Sequence, residues 1–90
     1  MFKILEELIV TIRQRKTSSN KESYTHELLN NKTLNVEKVK EEITELIDAV
    51  EKNKNKIHEA ADVLYHLMVF LEANDIKIEN IMEELKKRQK

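Results

Sequence analysis

Residues 57–73 read IHEAADVLYHLMVFLEA and contain the longest apolar run of the chain. Every position from Ala60 to Leu71 is apolar except Asp62 and His66. A helix that is apolar nearly all round has no face suited to water, so it belongs at the centre of a bundle or of a dimer. The segment therefore predicts a central helix over residues 57–73 with a carboxylate inside it.

Two long amphipathic helices are predicted on the N-terminal side of this segment. The first covers residues 2–16, and the second begins at Thr33 or Asn35 and ends before a Lys/Asn-rich loop at 52–56, because apolar residues recur at helical spacing in both. The second helix is expected to bury Val36, Val39, Ile43, Leu46, Ile47 and Val50.

Two shorter helices complete the predicted set. After a polar linker at 17–22, Ser23 or Thr25 is positioned to cap a helix that ends at residues 30–32. A last amphipathic helix follows residues 74–75 and carries Ile78, Ile81, Met82 and Leu85. The fold class predicted is all-α, a single four-helix-bundle-like domain over residues 1–90.

The composition supports this class and limits the function. The 90 residues include no Gly, Pro or Cys, so turns with positive φ are expected to be scarce and thiolate chemistry is excluded. A net charge of −1 argues against a nucleic-acid partner. No apolar run suggests a membrane partner or a signal peptide, so a cytoplasmic protein is expected. A chain this short is marginally stable alone, which favours a homodimer.

Four carboxylates form two pairs. Glu42 and Glu45 lie one turn apart on the second long helix, and Glu59 and Asp62 repeat that spacing on the central helix. If the two helices pack antiparallel across the loop at 52–56, all four converge on one cleft. Carboxylate oxygens suit Mg²⁺, with Mn²⁺ as a substitute, and leave positions free for water and phosphate. The pattern predicts metal-assisted phosphoryl or nucleotidyl transfer to water.

Two other interpretations of these acids stand beside the metal site. The acids Glu41, Glu42 and Glu45, when they are considered alone, are typical of an ordinary solvated helix face. Asp62 argues against it, because an unpaired buried carboxylate costs on the order of several kcal/mol. A structural ion pair between Asp62 and Arg13 or Lys38 is the remaining interpretation.

Two further residues are candidates for substrate contact. His66 lies one turn beyond Asp62, where it either touches a phosphate or is a satisfied core histidine. Arg13 lies near the end of the first helix, where it either clamps phosphates or complements the helix dipole. Tyr65 is interpreted as a packing residue.

Four segments of the chain resemble the MazG-type all-α nucleotide pyrophosphohydrolases, and within them the phosphoribosyl-ATP pyrophosphatase family. In chain order they are LEELI with IR (5–9 and 12–13), SYT with LL (23–25 and 28–29), KVKEEITE (38–45) and EAADVLYHL (59–67). The similarity covers nearly the whole chain. The combination of SYT, EExxE and EAADxLYH is more specific than the carboxylate spacing alone.

The resemblance implies hydrolysis of phosphoribosyl-ATP to phosphoribosyl-AMP and pyrophosphate, the second step of histidine biosynthesis. It implies a homodimer with helices of both subunits around the site, and Glu41 as an auxiliary ligand or a base for water, with Glu42 the second catalytic residue. The implied Mg²⁺ ligands are Glu42, Glu45, Glu59 and Asp62. The implied phosphate and substrate contacts are Lys38, Ser23, Tyr24 and Thr25.

The sequence departs from the family pattern at several positions. The family has Gly where Lys40 stands, a small residue at Ile43, and Gly in the turn near residues 74–75. A long side chain at position 40 bears on access to the metal cleft and on substrate choice. Two alternative functions remain open, a housecleaning pyrophosphohydrolase acting on free nucleoside triphosphates and a non-catalytic helical dimer that mediates protein contacts.

Overall fold

A computed structural model describes residues 1–17 and 23–89. These residues form five α-helices and no strand: α1 (Lys3–Thr17), α2 (Tyr24–Asn30), α3 (Lys32–Lys52), α4 (Lys56–Ala73) and α5 (Ile78–Arg88). The all-α prediction is confirmed. Of the linker predicted at 17–22, residues 18–22 lie outside the described part of the chain. None of the described helices is long and apolar enough to cross a bilayer.

Helix α4 occupies the centre of the arrangement, as its apolar sequence predicted. It packs against α1, α2 and α3, and its contact with α3 is the most extensive in the structure. The hydrophobic core draws on α1, α2 and α4 and consists of Ile9, Ile12, Leu28, Met68 and Val69. One side of α4 nevertheless remains open, because Leu64 is about half exposed.

The prediction for the buried face of α3 is wrong in part. Its buried residues are Asn35, Glu42 and Ala49, which are spaced by seven and so form one stripe against α4. Ile47 and Val50, both expected inside, are 56% and 57% exposed, and Ile43 is also exposed. The apolar stripe of α3 lies beside the packed stripe, so it faces outward from the single chain.

Side-chain caps fix the helix boundaries near α2. The Ser23 hydroxyl accepts a hydrogen bond from the His26 backbone N–H at 3.3 Å, which confirms the predicted cap. Asn31 ends α2 and caps α3 through its Oδ1 atom, which lies 3.1 Å from the Leu34 nitrogen. Because Asn31 serves both helices, α3 begins at Lys32, slightly earlier than predicted.

In the described part of the chain, three residues in two turns have the positive φ that a chain without Gly was expected to avoid. Asn53 (φ 53°) and Asn55 (φ 58°) flank the α3–α4 loop, and Asp75 (φ 57°) follows α4. Asn and Asp tolerate the left-handed region because their short polar side chains hydrogen-bond locally. The turns are therefore retained with these residues in place of Gly.

Candidate functional site

The carboxylates of α3 and α4 lie together where the two helices pack. On α3, ligand atoms of Glu41, Glu42 and Glu45 lie within 4.8 Å of one another, and on α4 the same holds for His58, Glu59 and Asp62. The two groups influence each other across the helix pair, because Glu45 and Asp62 both act on the pKa values of Glu42 and Glu59. The convergence predicted from spacing is therefore present in the fold.

Two carboxylate oxygens in this cleft are buried without compensation. Glu42 is 8% exposed, and neither its Oε2 atom nor the Oε2 atom of Glu59 has a hydrogen-bond partner among the described residues. Burial, followed by the negative charge of Glu45, raises the pKa of Glu42 and that of Glu59 above their ordinary values. Facing carboxylates with unshared oxygens are a donor set that fits a hard divalent cation.

Asp62 is less buried than its place in an apolar run suggested. Its side chain is 38% exposed, and its Oδ2 atom lies 3.4 Å from Nε2 of His58, one turn earlier on α4. The alternative ion pairs with Arg13 and Lys38 are not formed. Lys38 instead lies 3.3 Å from the Glu41 carboxylate, next to the acidic cluster. The deeply buried acid of the cleft is Glu42.

Arg13 lies away from the carboxylate cleft and is saturated by other acids. Its Nε atom donates to Glu72 at 2.6 Å, and its terminal nitrogens donate to Glu79 at 2.9 and 2.6 Å. Glu72 lies ten residues beyond Asp62 on α4, which corresponds to about 15 Å along the helix axis. This guanidinium therefore joins α1, α4 and α5 in the single chain, and the phosphate contact predicted for Arg13 stays a prediction.

The SYT segment contacts the central helix through two side-chain hydrogen bonds. The Tyr24 hydroxyl lies 3.1 Å from Nε2 of His66, and Thr25 Oγ1 lies 2.5 Å from the Tyr65 hydroxyl. Nδ1 of His66 lies 2.8 Å from the Asp62 carbonyl oxygen and so donates to it, which makes Nε2 the acceptor for Tyr24. With both ring nitrogens engaged and 7% exposure, His66 is a satisfied core histidine.

These hydrogen bonds place Tyr24 at the edge of the cleft. Its ring stacks on Tyr65 with centroids 6.4 Å apart, and partial burial raises the pKa of its hydroxyl. Lys38 and Glu42 both lie near enough to act on that pKa. Of the SYT residues, Ser23 caps α2, whereas Tyr24 faces the acidic cluster.

Three residues of this region were missed in the sequence. His58 precedes Asp62 by four positions, a spacing that places them on one helix face. Tyr65 was assigned to packing alone, although its hydroxyl bonds Thr25. Asn35 was considered only as a helix start, whereas it is 2% exposed inside the α3–α4 contact. Its spacing of seven from Glu42 was the available signal.

A polar cavity of about 290 Å³ adjoins the acids at the α3–α4 loop. It brings basic side chains of the loop next to two of the predicted metal ligands, Glu45 and Glu59. Its full lining is Glu45, Asp48, Ala49, Lys52, Lys54, Asn55 and Glu59. The lining of this cavity therefore carries both acidic and basic side chains.

Comparison with known proteins gives one consistent family. The model of a family described as phosphoribosyl-ATP pyrophosphohydrolase matches residues 5–89. A phosphoribosyl-ATP pyrophosphatase of Methanocella arvoryzae is 39% identical over 95 residues, covering 100% of both chains. Another from Methanococcoides burtonii is 42% identical over 91 residues, covering 96% of this chain and 92% of the relative.

A longer relative contains the same unit. The histidine biosynthesis bifunctional protein HisIE of Pyrococcus furiosus is 41% identical over 88 residues. That match covers 97% of this chain but 42% of the relative.

Proposed function

The chain belongs to the phosphoribosyl-ATP pyrophosphohydrolase family, and we propose that it hydrolyses phosphoribosyl-ATP to phosphoribosyl-AMP and pyrophosphate with Mg²⁺. This is the second step of histidine biosynthesis, carried out in the cytoplasm by a homodimer of single-domain subunits. The observation that carries the proposal concerns one buried carboxylate oxygen of Glu42 and one of Glu59. Neither has a hydrogen-bond partner within the part of the chain that the structure describes.

The proposed metal ligands are Glu42, Glu45, Glu59 and Asp62. Like charges this close repel, and burial followed by the charge of Glu45 raises the pKa values of Glu42 and Glu59. A bound Mg²⁺, or Mn²⁺ in its place, supplies positive charge that offsets this repulsion and the charge developing on the phosphate oxygens. The cost of burying Glu42 is then recovered when the metal binds.

The remaining polar groups have separate proposed roles around that centre. A carboxylate oxygen of Glu41 lies within 4.8 Å of those of the other two α3 acids, and its side chain is partly exposed. These features support a role for Glu41 in taking the proton from an attacking water. The oxygen of that water forms a new bond to phosphorus while the bond from that phosphorus to the bridging anhydride oxygen breaks and pyrophosphate leaves. Lys38 faces the phosphates, and Tyr24 and Thr25 bound the substrate side.

The exposed apolar face of α3 supports the homodimer. Ile47, Val50 and Ile43 lie together on the outer side of α3, and Leu64 is exposed on α4. Exposed apolar patches on a soluble protein mark association surfaces. A second copy that covers this face would lie directly beside the carboxylate cleft, because the same helices carry both.

The test is pyrophosphate release from phosphoribosyl-ATP, with ATP and dUTP alongside, each with and without Mg²⁺. Metal-dependent turnover of phosphoribosyl-ATP that is lost in Glu42→Gln and Asp62→Asn, and retained in Glu37→Gln on the exposed side of α3, is the expected result. Turnover of the free triphosphates in preference to phosphoribosyl-ATP would move the enzyme to the housecleaning class. Inactivity on all three substrates would favour the non-catalytic helical scaffold over both enzymes.

A further inference from the structure

A second cavity lies on the same helix pair as the carboxylates, at the opposite end from the loop. It has a volume of about 170 Å³, and its lining joins α2, the start of α3 and the end of α4. The lining residues are Leu29, Lys32, Asn35, Phe70, Ala73 and Asn74. At about 30 Å³ per water molecule, the cavity has room for roughly five waters or for one small sugar.

The cavity contains a polar group without a partner. Asn35 is 2% exposed, and its Oδ1 atom has no hydrogen-bond partner within residues 1–17 and 23–89. A buried amide oxygen left unsatisfied is costly, and native proteins retain such groups where a ligand or water completes them. An amide oxygen accepts hydrogen bonds, so the missing group is a donor such as a hydroxyl.

A cation lies beside that acceptor. Lys32 lines the same cavity, and none of the carboxylates in the described part of the chain forms an ion pair with it. An ammonium group without an ion-pair partner, next to an amide oxygen that can accept a hydrogen bond, is suited to a sugar phosphate. The sugar hydroxyl would donate to Asn35 and the phosphate would pair with Lys32.

The position of the cavity relative to the metal ligands fits one substrate. Asn35 precedes Glu42 by seven residues on the same buried stripe, and Lys32 precedes it by ten, which places them about 10 and 15 Å away along α3. Across the helix pair, Ala73 lines the cavity while Glu59 lines the loop pocket. The two sites are therefore opposite ends of a single α3–α4 contact.

We infer that the Lys32–Asn35 cavity binds the ribose 5-phosphate group that distinguishes phosphoribosyl-ATP from ATP. This inference rests on the proposed function, since it assigns one end of that substrate. One other groove that contains a cation is less suitable for a second phosphate. The groove between α1 and α5 is lined mainly by apolar side chains, and its guanidinium, Arg13, is already held by two carboxylates.

The first test compares kinetics of Lys32→Ala and Asn35→Leu with the wild type and with Lys3→Ala. Lys3 is the matched control because it is also an exposed lysine at the first position of a helix. We expect KM for phosphoribosyl-ATP to rise about tenfold or more in both cavity variants, with kcat within about twofold, and neither to change in Lys3→Ala. Lys32→Ala alters an exposed side chain, so its effect does not depend on the fold tolerating Asn35→Leu.

The second test is direct binding of free ribose 5-phosphate, followed by the side-chain amide resonances of Asn35 in ¹⁵N NMR spectra. Saturable shifts of these resonances that disappear in Lys32→Ala are expected, and their absence in the wild type would overturn the subsite. Unchanged KM in both cavity variants of an active enzyme would also overturn it while leaving the proposed function intact. A wild type that releases no pyrophosphate from phosphoribosyl-ATP would instead overturn the proposed function.

Discussion

Replacing Glu42 by Gln is expected to stabilise the metal-free protein and to abolish its response to Mg²⁺. The side chain is 8% exposed and its Oε2 atom has no partner among the described residues. Glu45 and Asp62 lie close enough to raise its pKa. A neutral amide at this position removes the repulsion and offers N–H donors to those neighbouring carboxylates.

The size of the effect follows from the geometry. An unsatisfied buried polar group costs about 1–3 kcal/mol, and more if charged. The substitution is therefore expected to increase the free energy of unfolding of the apo protein by at least about 1 kcal/mol. In a domain of this length that corresponds to a Tm higher by roughly 4–8 °C.

Metal binding is expected to reverse the order of stability of the wild type and Glu42→Gln. Mg²⁺ at a hundredfold excess over its Kd stabilises the wild type by about 2.7 kcal/mol, since it binds the folded state alone. Glu42→Gln loses a ligand from the most buried position, so its Tm is expected to change little with Mg²⁺. The apo variant is thus more stable than the apo wild type, and the wild type with Mg²⁺ is more stable than the variant.

Thermal unfolding followed by circular dichroism, with EDTA or with MgCl₂ at matched ionic strength, measures all four states. Glu37→Gln is the control, because Glu37 is an exposed acid on the same helix. A Glu42→Gln protein that is less stable than wild type in EDTA would refute the argument from uncompensated burial. A Glu42→Gln protein whose Tm rises as much with Mg²⁺ as that of the wild type would refute the proposal that Glu42 is a metal ligand.

Three further predictions concern other parts of the fold. Ile47→Glu is expected to convert the proposed dimer to monomer in light-scattering chromatography, whereas Ile4→Glu, at a more exposed apolar position on α1, is not. A dimeric Ile47→Glu protein would contradict the interface. Arg13→Met is expected to lower the free energy of unfolding, measured in urea, by about 1–3 kcal/mol, because it leaves the buried Glu72 carboxylate without its partner. A change below roughly 0.5 kcal/mol would count against a stabilising role of that pairing. The hydrogen bond from Arg13 also lowers the pKa of Glu79 to about 2, so this pair stabilises the fold above pH 4.5, the ordinary pKa of Glu, and loses that effect as the pH falls toward 2. In acid titrations Glu79→Gln is expected to make the free energy of unfolding fall less steeply with decreasing pH, and an unchanged curve would exclude this contribution.

The grouping of the four carboxylates could be predicted from the sequence because its signal is local. An i,i+3 spacing on a helix places two side chains on one face whatever the tertiary structure, and the repetition of that spacing on α3 and α4 needed only an antiparallel hairpin to converge. The central position of α4 was equally accessible, since a helix that is apolar all round has one suitable environment.

The orientation of α3 could not be obtained in the same way. The helix has two neighbouring stripes, one apolar with Ile43, Ile47 and Val50, and one with Asn35, Glu42 and Ala49. Hydrophobic periodicity favours burial of the first, and that is the stripe predicted to be inside. The structure buries the second, because the packing of α4 against α3 depends on contacts between helices and not on either sequence alone.

Arg13 shows a similar limit. Its position near the C-terminal end of α1 suggested either a phosphate contact or a dipole effect, both of which are local arguments. Its actual partners, Glu72 and Glu79, lie 59 and 66 positions away in the chain. A pairing over that separation depends on how α4 and α5 return to α1, which no local spacing reveals.

The two stripes of α3 connect the proposed metal site to the proposed dimer. Rotating α3 to bury Ile47 and Val50 within one chain would move Glu42 away from Asp62 and expose it to water. Its oxygens would then be hydrated, and the cleft would lose the buried carboxylate that most favours binding of a cation. Keeping Glu42 inside therefore leaves the apolar stripe outside. A second copy that covers this stripe removes the remaining conflict, so the same rotation of α3 accounts for both the acidic cleft and the exposed apolar face.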